Sequence, residues 1–394
     1  MKNKKHKIGI FGGAFNPPHI GHVQAAETAI KQLNLDKLII VPTGTPAHKK
    51  LPKDTPPADI RYKLAELAFG QIPNIIISDL EISKKETSYS IDTVSQIVKE
   101  YEPSLIYLLI GTDMYLSLES WKEFRKLLSL ATPAVFTRKP NELNKIHDFS
   151  AYLKNNYDVE TTTISNQVID ISSTTLRKIL PSRKGFEYVP KHCYSYIVKR
   201  SLYNTKPNFD WLRTQAYLFL KPSRIGHVQG CEEAAISLAK RWNVDPDEAR
   251  EAAILHDITK NFSMHQHTEI FAYNDIKVDI ADENEVKLLH PKTGAIVASN
   301  EFSVSEDVAE AIKWHTTGKI NMSALEKIIY LADYIEETRD FPEVEILRKA
   351  AYNNIDDAMV MGLELSIADI KSRGITPNKA SIEALRDIKE NTVK

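Results

Sequence analysis

Lys7-Ile8-Gly9-Ile10-Phe11-Gly12-Gly13-Ala14-Phe15-Asn16-Pro17-Pro18-His19-Ile20-Gly21-His22 is the stretch that decides the fold. Lys7–Phe11 reads as a short apolar strand, and Gly12-Gly13 end it with backbone that can approach a ligand closely. His22–Leu33 carries helical spacing. Strand, glycine turn and helix start form the opening of a doubly wound unit, where phosphates sit on the helix N-terminus. His19 and His22 lie three apart and share a helix face. Imidazoles beside a helix N-terminus suit a polyphosphate, whose transition state spreads negative charge over oxygens.

Further along, Lys37–Val41, Asn74–Ser78, Ser104–Ile110 and Ala134–Thr137 read as strands, while Arg61–Phe69, Ile91–Tyr101 and Thr174–Leu180 read as helices. Alternating apolar strands and helices predict a parallel sheet covered on both faces, a Rossmann-like α/β unit. Tyr203–Asn208 is polar and turn-rich and reads as a linker, giving domains 1–203 and 204–394. Beyond it only helical periods recur, at Gln229–Trp242, Pro246–His256, Val286–Ser299, Ser305–Trp314, Ser323–Glu337, Glu345–Ser372 and Ala380–Asn391. The second domain is expected to be all-α.

The 394 residues are 42% apolar and 26% charged. That is globular composition for two or three domains, and it excludes a mainly disordered, collagen-like or coiled-coil chain. No stretch approaches the ~20 apolar residues of a membrane span, and the N-terminus lacks the apolar core of a signal peptide. Only Cys193 and Cys231 are present, which excludes a disulfide framework or a cysteine-built zinc site. The expectation is a soluble cytoplasmic protein, acting on small molecules rather than on membranes or nucleic-acid polymers, with a homo-oligomer left open. The net charge of −1 hides an asymmetry: residues 1–205 hold 28 basic and 20 acidic side chains, the remainder 23 and 32. Two units with different ligands fit that split.

A second segment supports the first. Ile171-Ser172-Ser173-Thr174-Thr175-Leu176-Arg177 reads as hydroxyl residues capping a helix, with Arg177 in its first turns. Hydroxyls and free N–H groups there can hold phosphate oxygens, and Arg177 can clamp them. Together, GGAFNPPHIGH and ISSTTLR resemble the HxGH nucleotidylyltransferases. The resemblance narrows to bacterial nicotinate-nucleotide adenylyltransferases through Pro42–Lys50, Thr87–Thr93, Leu109–Met114, Trp121, Arg138 and Tyr188–Pro190. It covers about residues 6–200. The family commonly has Ser-Phe-Asp where Ala14-Phe15-Asn16 stand, and threonine at Ser90.

The resemblance implies transfer of AMP from ATP, bound with Mg²⁺, to nicotinate mononucleotide. His19, His22, Arg177 and Lys49 would hold phosphates with Gly12, Gly13, Ser172, Ser173 and Thr174, and Phe15 would belong to the substrate-binding set. Gly111 and Asp113 would contact nucleotide and ribose, and Tyr89, Ser90, Trp121 and Arg138 would bind the substrate. Trp121 would stack on the pyridine ring, against the plainer expectation of a core tryptophan. In-line positioning and charge stabilisation suffice for such a transfer without a protein nucleophile. Nicotinamide mononucleotide or phosphopantetheine are the rival acceptors.

In the helical half His227, His256-Asp257, His290, His315 and Asp333 follow one another. Four imidazoles and two carboxylates suit one or two divalent transition metals, with Asp257 as the natural bridge. The ordered series resembles the HD metal-dependent phosphohydrolases. Residues 256–260, 315–318 and 330–336 resemble the subgroup that splits diadenosine tetraphosphate into two ADP, although Glu337 stands where that subgroup commonly has proline. The resemblance covers about residues 210–385 and implies a dinuclear centre, with iron as the family metal. Lys260 would hold a substrate phosphate, and Arg339 is a weaker candidate. His265 and His267, two apart, are expected at the surface. The alternatives are an HD hydrolase of other nucleotides, or a metal-binding regulatory module without turnover.

Overall fold

In the computed structural model, residues 6–46, 51–84, 87–137, 142–165, 169–277 and 286–392 are described. Contacts divide the chain into two compact units, Met1–Lys206 and Pro207–Lys394. Tyr203 and Thr205 are buried, so the polar stretch read as a linker packs into the first unit through its early residues.

The first unit is built on a parallel sheet of β1 (Lys7–Gly13), β2 (Lys37–Pro42), β4 (Ile75–Ile77), β6 (Leu105–Gly111), β7 (Thr132–Phe136) and β8 (Thr162–Ile164), with β3 (Thr45–Pro46) and β5 (Thr87–Ser88) pairing separately. The strand order is β4-β2-β1-β6-β7-β8. β1 is therefore central, parallel to β2 on one side and to β6 on the other. The chain winds outward from β1 through β2, then returns to β6 and winds the other way. That reversal opens a crevice at the carboxyl ends of β1 and β6, where Rossmann-like sheets bind ligands.

Side-chain alternation explains why both faces are covered. Ile8, Ile10, Ile39, Val41, Leu108 and Ile110 enter one core cluster, while Phe11, Leu38, Ile40 and Leu109 enter the other. Gly9 is required by close packing: a Cβ there would meet the Leu35 and Leu38 methyls at 2.7 Å.

The second unit is helical throughout its described residues, as expected. Two readings need correction. The single helix expected over Glu345–Ser372 is two, Val344–Asn353 and Ile355–Ser372. Asn354 ends the first in an extended conformation (φ −148°, ψ 114°) and caps the second, its Oδ1 accepting from the N–H groups of Asp356 and Asp357. Apolar periodicity continues across the break, so spacing alone reads as one helix. The helix expected from Gln229 instead starts at Pro222, because proline is suited to the first turn. Strand β8 and the helices Leu143–Tyr157, Lys191–Lys199, Phe209–Tyr217 and Met264–Tyr273 had not been anticipated.

Candidate functional site

In the first unit, β1 ends at Gly13 and the helix Ile20–Leu33 begins just after His19. A Cβ on Gly12 would meet only the Val41 carbonyl, 4.0 Å away, so the space before this backbone is open enough to admit a ligand. Phe15, buried and at φ 44°, packs edge-on against Phe11 and His22. The His19 and His22 rings lie 3.7 Å apart, and the His19 N–H donates to His22 Nδ1 at 3.2 Å. Sequence spacing had put the two on one face, and the structure brings them into contact.

The second motif joins this loop. Ser172 caps the helix Ser173–Ile179 by accepting from the Thr175 N–H. Ser173 Oγ donates to the Pro17 carbonyl at 2.8 Å, and Arg177 donates to the Asn16 carbonyl at 2.6 Å and to Thr174 Oγ1 at 3.2 Å. Arg177 thus uses two of five N–H donors on protein partners that position it.

Gly111 ends β6, and the exposed Asp113 sits in the one-turn helix that follows. Tyr89 caps the helix beginning at Ser90, and Lys122 Nζ lies 4.2 Å over its ring. Trp121, expected to stack on a pyridine, is 8% exposed and belongs to the core cluster with Tyr115 and Leu118. Its ring has a packing role in this conformation, because the turn Leu118–Ser120 folds it inward. Lys49 and Arg138 lie outside the described residues.

Arg61 was missed. It is 2% exposed, and its guanidinium donates to the carbonyls of Ala14 and Gly44, both at 3.0 Å. It ties the loop after β1 to the loop after β2. An arginine in line with Leu64, Ala65 and Phe69, the buried face of Ala58–Phe69, was the available signal.

In the second unit the six ligand-type residues come from five separate elements and converge. His227 lies on the helix Pro222–Arg241, and His256-Asp257 just past Pro246–Leu255. His290 lies on Val286–Phe302, His315 caps Glu306–Trp314, and Asp333 lies on Ala324–Ile335. Asp257 is fully buried at the middle. Its oxygens lie 3.4 Å from His256 Nε2, 3.1 Å from His290 Nε2, 3.7 Å from His315 Nε2 and 4.0 Å from His227 Nε2. His227 Nε2 is also 3.0 Å from Asp333 Oδ1.

The opposite ring nitrogens show how the imidazoles are aimed. His256 Nδ1 donates to the Ala253 carbonyl at 2.7 Å, and His315 Nδ1 to the Ile312 carbonyl at 2.6 Å. His227 Nδ1 donates to Glu336 Oε1 at 2.9 Å. Oxygen acceptors fix each proton on Nδ1, leaving Nε2 with a lone pair directed inward. The Nε2 atoms of His290 and His315 face each other at 3.2 Å. Such a buried set of imidazole and carboxylate donors suits divalent transition-metal binding.

The electrostatics are those of a ligand cluster. Burial opposes charge on Asp257, but His256 and the hydrogen bonds of His290 and His315 hold its carboxyl well below the usual range. Burial lowers His290 to about 3 and also lowers His315, which keeps both imidazoles neutral and able to coordinate. Arg224 donates to Asp257 Oδ2 at 2.6 Å, and Lys260 Nζ lies 3.2 Å from Oδ1. Arg339, expected at best as a weak candidate, donates to Asp333 Oδ1 at 2.5 Å.

Among the residues missed, Glu336 orients His227, and its Oε2 would lie 2.6 Å from a Cβ on Gly230, so the glycine permits the approach. Its place one turn after Asp333 was the signal. Cys231, one turn after His227, also faces the cluster, its Sγ 3.3 Å from His227 Nε2. His267 needs correction: it is fully buried, and its Nδ1 lies 2.8 Å from Thr293 Oγ1. Thr293 meets Thr259 at 3.0 Å, and Thr259 donates to the His290 carbonyl, so these groups back the site. His265 is exposed, as expected.

Comparison with known proteins agrees with both halves. The cytidylyltransferase-like family profile matches residues 10–179, and the HD domain profile matches residues 224–338. A Mycoplasma genitalium protein named "Probable nicotinate-nucleotide adenylyltransferase/Ap4A hydrolase" is 30% identical over 371 residues, spanning 91% of this chain and 97% of that protein. A Pseudothermotoga lettingae protein named "Probable nicotinate-nucleotide adenylyltransferase" is 37% identical over 185 residues, 47% of this chain and 91% of the relative. A crystal structure from Clostridium acetobutylicum, titled a "predicted HD superfamily hydrolase involved in NAD metabolism", is 34% identical, covering 47% of this chain and 99% of its own, with a TM-score of 0.46. No described helix is long and apolar enough to cross a membrane. Matched along nearly the whole length of the Mycoplasma relative and by both profiles, the chain belongs to the family in which a nicotinate-nucleotide adenylyltransferase-like domain is fused to an HD domain.

Proposed function

We propose that the chain is a bifunctional cytoplasmic enzyme: its first unit transfers AMP from ATP to nicotinate mononucleotide, and its second hydrolyses diadenosine tetraphosphate to two ADP. In the first reaction a phosphate oxygen of the mononucleotide attacks the ATP α-phosphorus and pyrophosphate leaves, giving deamido-NAD. His19, His22 and Arg177 hold the triphosphate oxygens at the Gly12 backbone, where charge builds in the transition state. Ser172, Ser173 and Thr174 fix the helix that carries Arg177, and Mg²⁺ arrives with ATP. Gly111 and Asp113 face nucleotide and ribose. Tyr89 and Ser90 face the pyridine ring, and reaching it would require Trp121 to turn out of its core packing.

For the second reaction, the observation that carries the reading is the inward aim of His227, His256 and His315, each held through Nδ1, around a buried Asp257. His227, His256, His290, His315, Asp257 and Asp333 would hold two divalent cations, iron among the candidates, which supply an activated water and neutralise phosphate charge. Lys260, a third exposed at the cluster's edge, takes a substrate phosphate oxygen, and Arg224 and Arg339 hold the carboxylates in place. The Mycoplasma relative's name, with its Ap4A hydrolase term, supports this choice of substrate.

The test uses the full chain. Pyrophosphate release is compared with nicotinate and nicotinamide mononucleotide as acceptors, and nicotinate is expected to be preferred. Diadenosine tetraphosphate is then supplied with Fe²⁺ or Mn²⁺ and the products separated. ADP alone is expected; equal amounts of ATP and AMP, or turnover only of other nucleotides, would contradict the assignment.

A further inference from the structure

We infer that Cys231 is itself a metal ligand, giving one cation position of the second unit a sulfur donor; this deepens the metal-centre reading above and rests on it. Cys231 is 1% exposed and lies four residues after His227 on the helix Pro222–Arg241, so both point the same way. One ligand atom from each of His227, Cys231, His256 and Asp333 lies within 4.8 Å of every other. A histidine nitrogen and a cysteine sulfur on one ion, at about 2.0–2.1 and 2.3 Å from it, stand about 3.1–3.6 Å apart for bond angles between right and tetrahedral. Cys231 Sγ is 3.3 Å from His227 Nε2.

A second observation points into the same place. His256 is 1% exposed, and its Nδ1 is committed to the Ala253 carbonyl, which turns its Nε2 into the cluster, 3.4 Å from Asp257 Oδ2. A cysteine here could instead serve only as a small apolar residue. That plainer role predicts that valine would replace it without consequence for metal binding.

On binding, the thiol proton leaves to solvent and the sulfur lone pair forms the bond to the cation; no electron is transferred. Without a cation, burial and the nearby Asp333 and Glu336 carboxylates hold the thiol protonated. A sulfur donor among nitrogen and oxygen ligands biases the position toward Fe²⁺, Co²⁺ or Zn²⁺ and away from Mn²⁺ and Mg²⁺.

The test is Co²⁺ titration of the full chain, purified without oxygen and stripped with chelator. The wild-type protein should develop visible cobalt ligand-field bands together with near-ultraviolet thiolate-to-cobalt absorption. Cys231→Ser and Cys231→Val should keep the visible bands and lose the near-ultraviolet one, with Co²⁺ and Zn²⁺ affinity falling ~10-fold or more and Mn²⁺ affinity changing less. Cys193→Ser should keep both, because Cys193 is fully buried in the first unit with its thiol pushed to about 12. X-ray absorption of the zinc-loaded wild type should show a sulfur shell at about 2.3 Å. The wild-type spectrum decides even if a variant fails to fold. Cobalt bands without sulfur absorption, or sulfur absorption that survives in Cys231→Val, would overturn the sulfur ligand and leave the metal centre standing. No cobalt bands at all would overturn both.

Discussion

His22 and Arg61 show two ways in which a single residue serves the first site. In the proposed transfer His22 meets phosphate, and its Nδ1 already accepts from the His19 N–H. His22→Ala is expected to retain the fold, judged by thermal melting, and to lose about 10²–10³ in AMP transfer, the scale for removing one donor aimed at developing charge. Arg61 meets no substrate in this account. It holds two loop carbonyls from a buried position. Arg61→Ala leaves both carbonyls without this donor and should destabilise the first unit by about 2–4 kcal/mol in denaturant unfolding. The contrast also marks what was legible in the sequence. His19 and His22 sit in a compact motif just past the end of β1, so their contact could be read, and the capped Ser-Thr-Arg motif marked Arg177, which reaches the Asn16 carbonyl of the same loop. Arg61 acts across 47 residues on one side and 17 on the other, with no local pattern to announce it. His267 misled for a related reason: its partner, Thr293, is 26 residues away, and polarity alone suggests a surface position.

Among the elements, ordered strands and helix caps account for most of what spacing could recover. β1, β2 and β6 are apolar runs bounded by turn residues, and the sheet follows from them. β8 is three residues long and carries no alternation of its own, which is why it escaped. The break at Asn354 depends on a side-chain cap rather than on periodicity. Asn354→Ala should destabilise the second unit by about 1 kcal/mol, measured by chemical unfolding, because the N–H groups of Asp356 and Asp357 lose their acceptor. Gly230 lets the helix Pro222–Arg241 approach Glu336, where a Cβ would stand 2.6 Å from Oε2. Gly230→Ala should displace Glu336, loosen His227 and weaken metal affinity about 10–100-fold, the range seen when an outer-shell partner is removed. Competition with a metallochromic chelator measures it; unchanged affinity would remove Glu336 from the account.

At the scale of the molecule, two units with separate cores carry two separate arrangements of histidine. In the proposed function, histidine in the first serves anionic oxygens, and in the second it serves cations. Stripping metal should therefore lower the unfolding temperature of the second unit and leave that of the first unchanged, with about 2.7 kcal/mol at stake when free metal stands at 100 times its dissociation constant. Differential scanning calorimetry with and without chelator reads both transitions. The central claim is that Asp257 and the five ligand residues around it form a dinuclear metal centre. Its most direct test is the metal content of the full chain, purified without oxygen, beside that of Asp257→Asn. The account predicts two transition-metal ions per wild-type chain and loss of at least one on removing the bridging carboxylate. A wild-type chain that carries no metal, and takes up none from Fe²⁺, Mn²⁺, Co²⁺ or Zn²⁺, would contradict it.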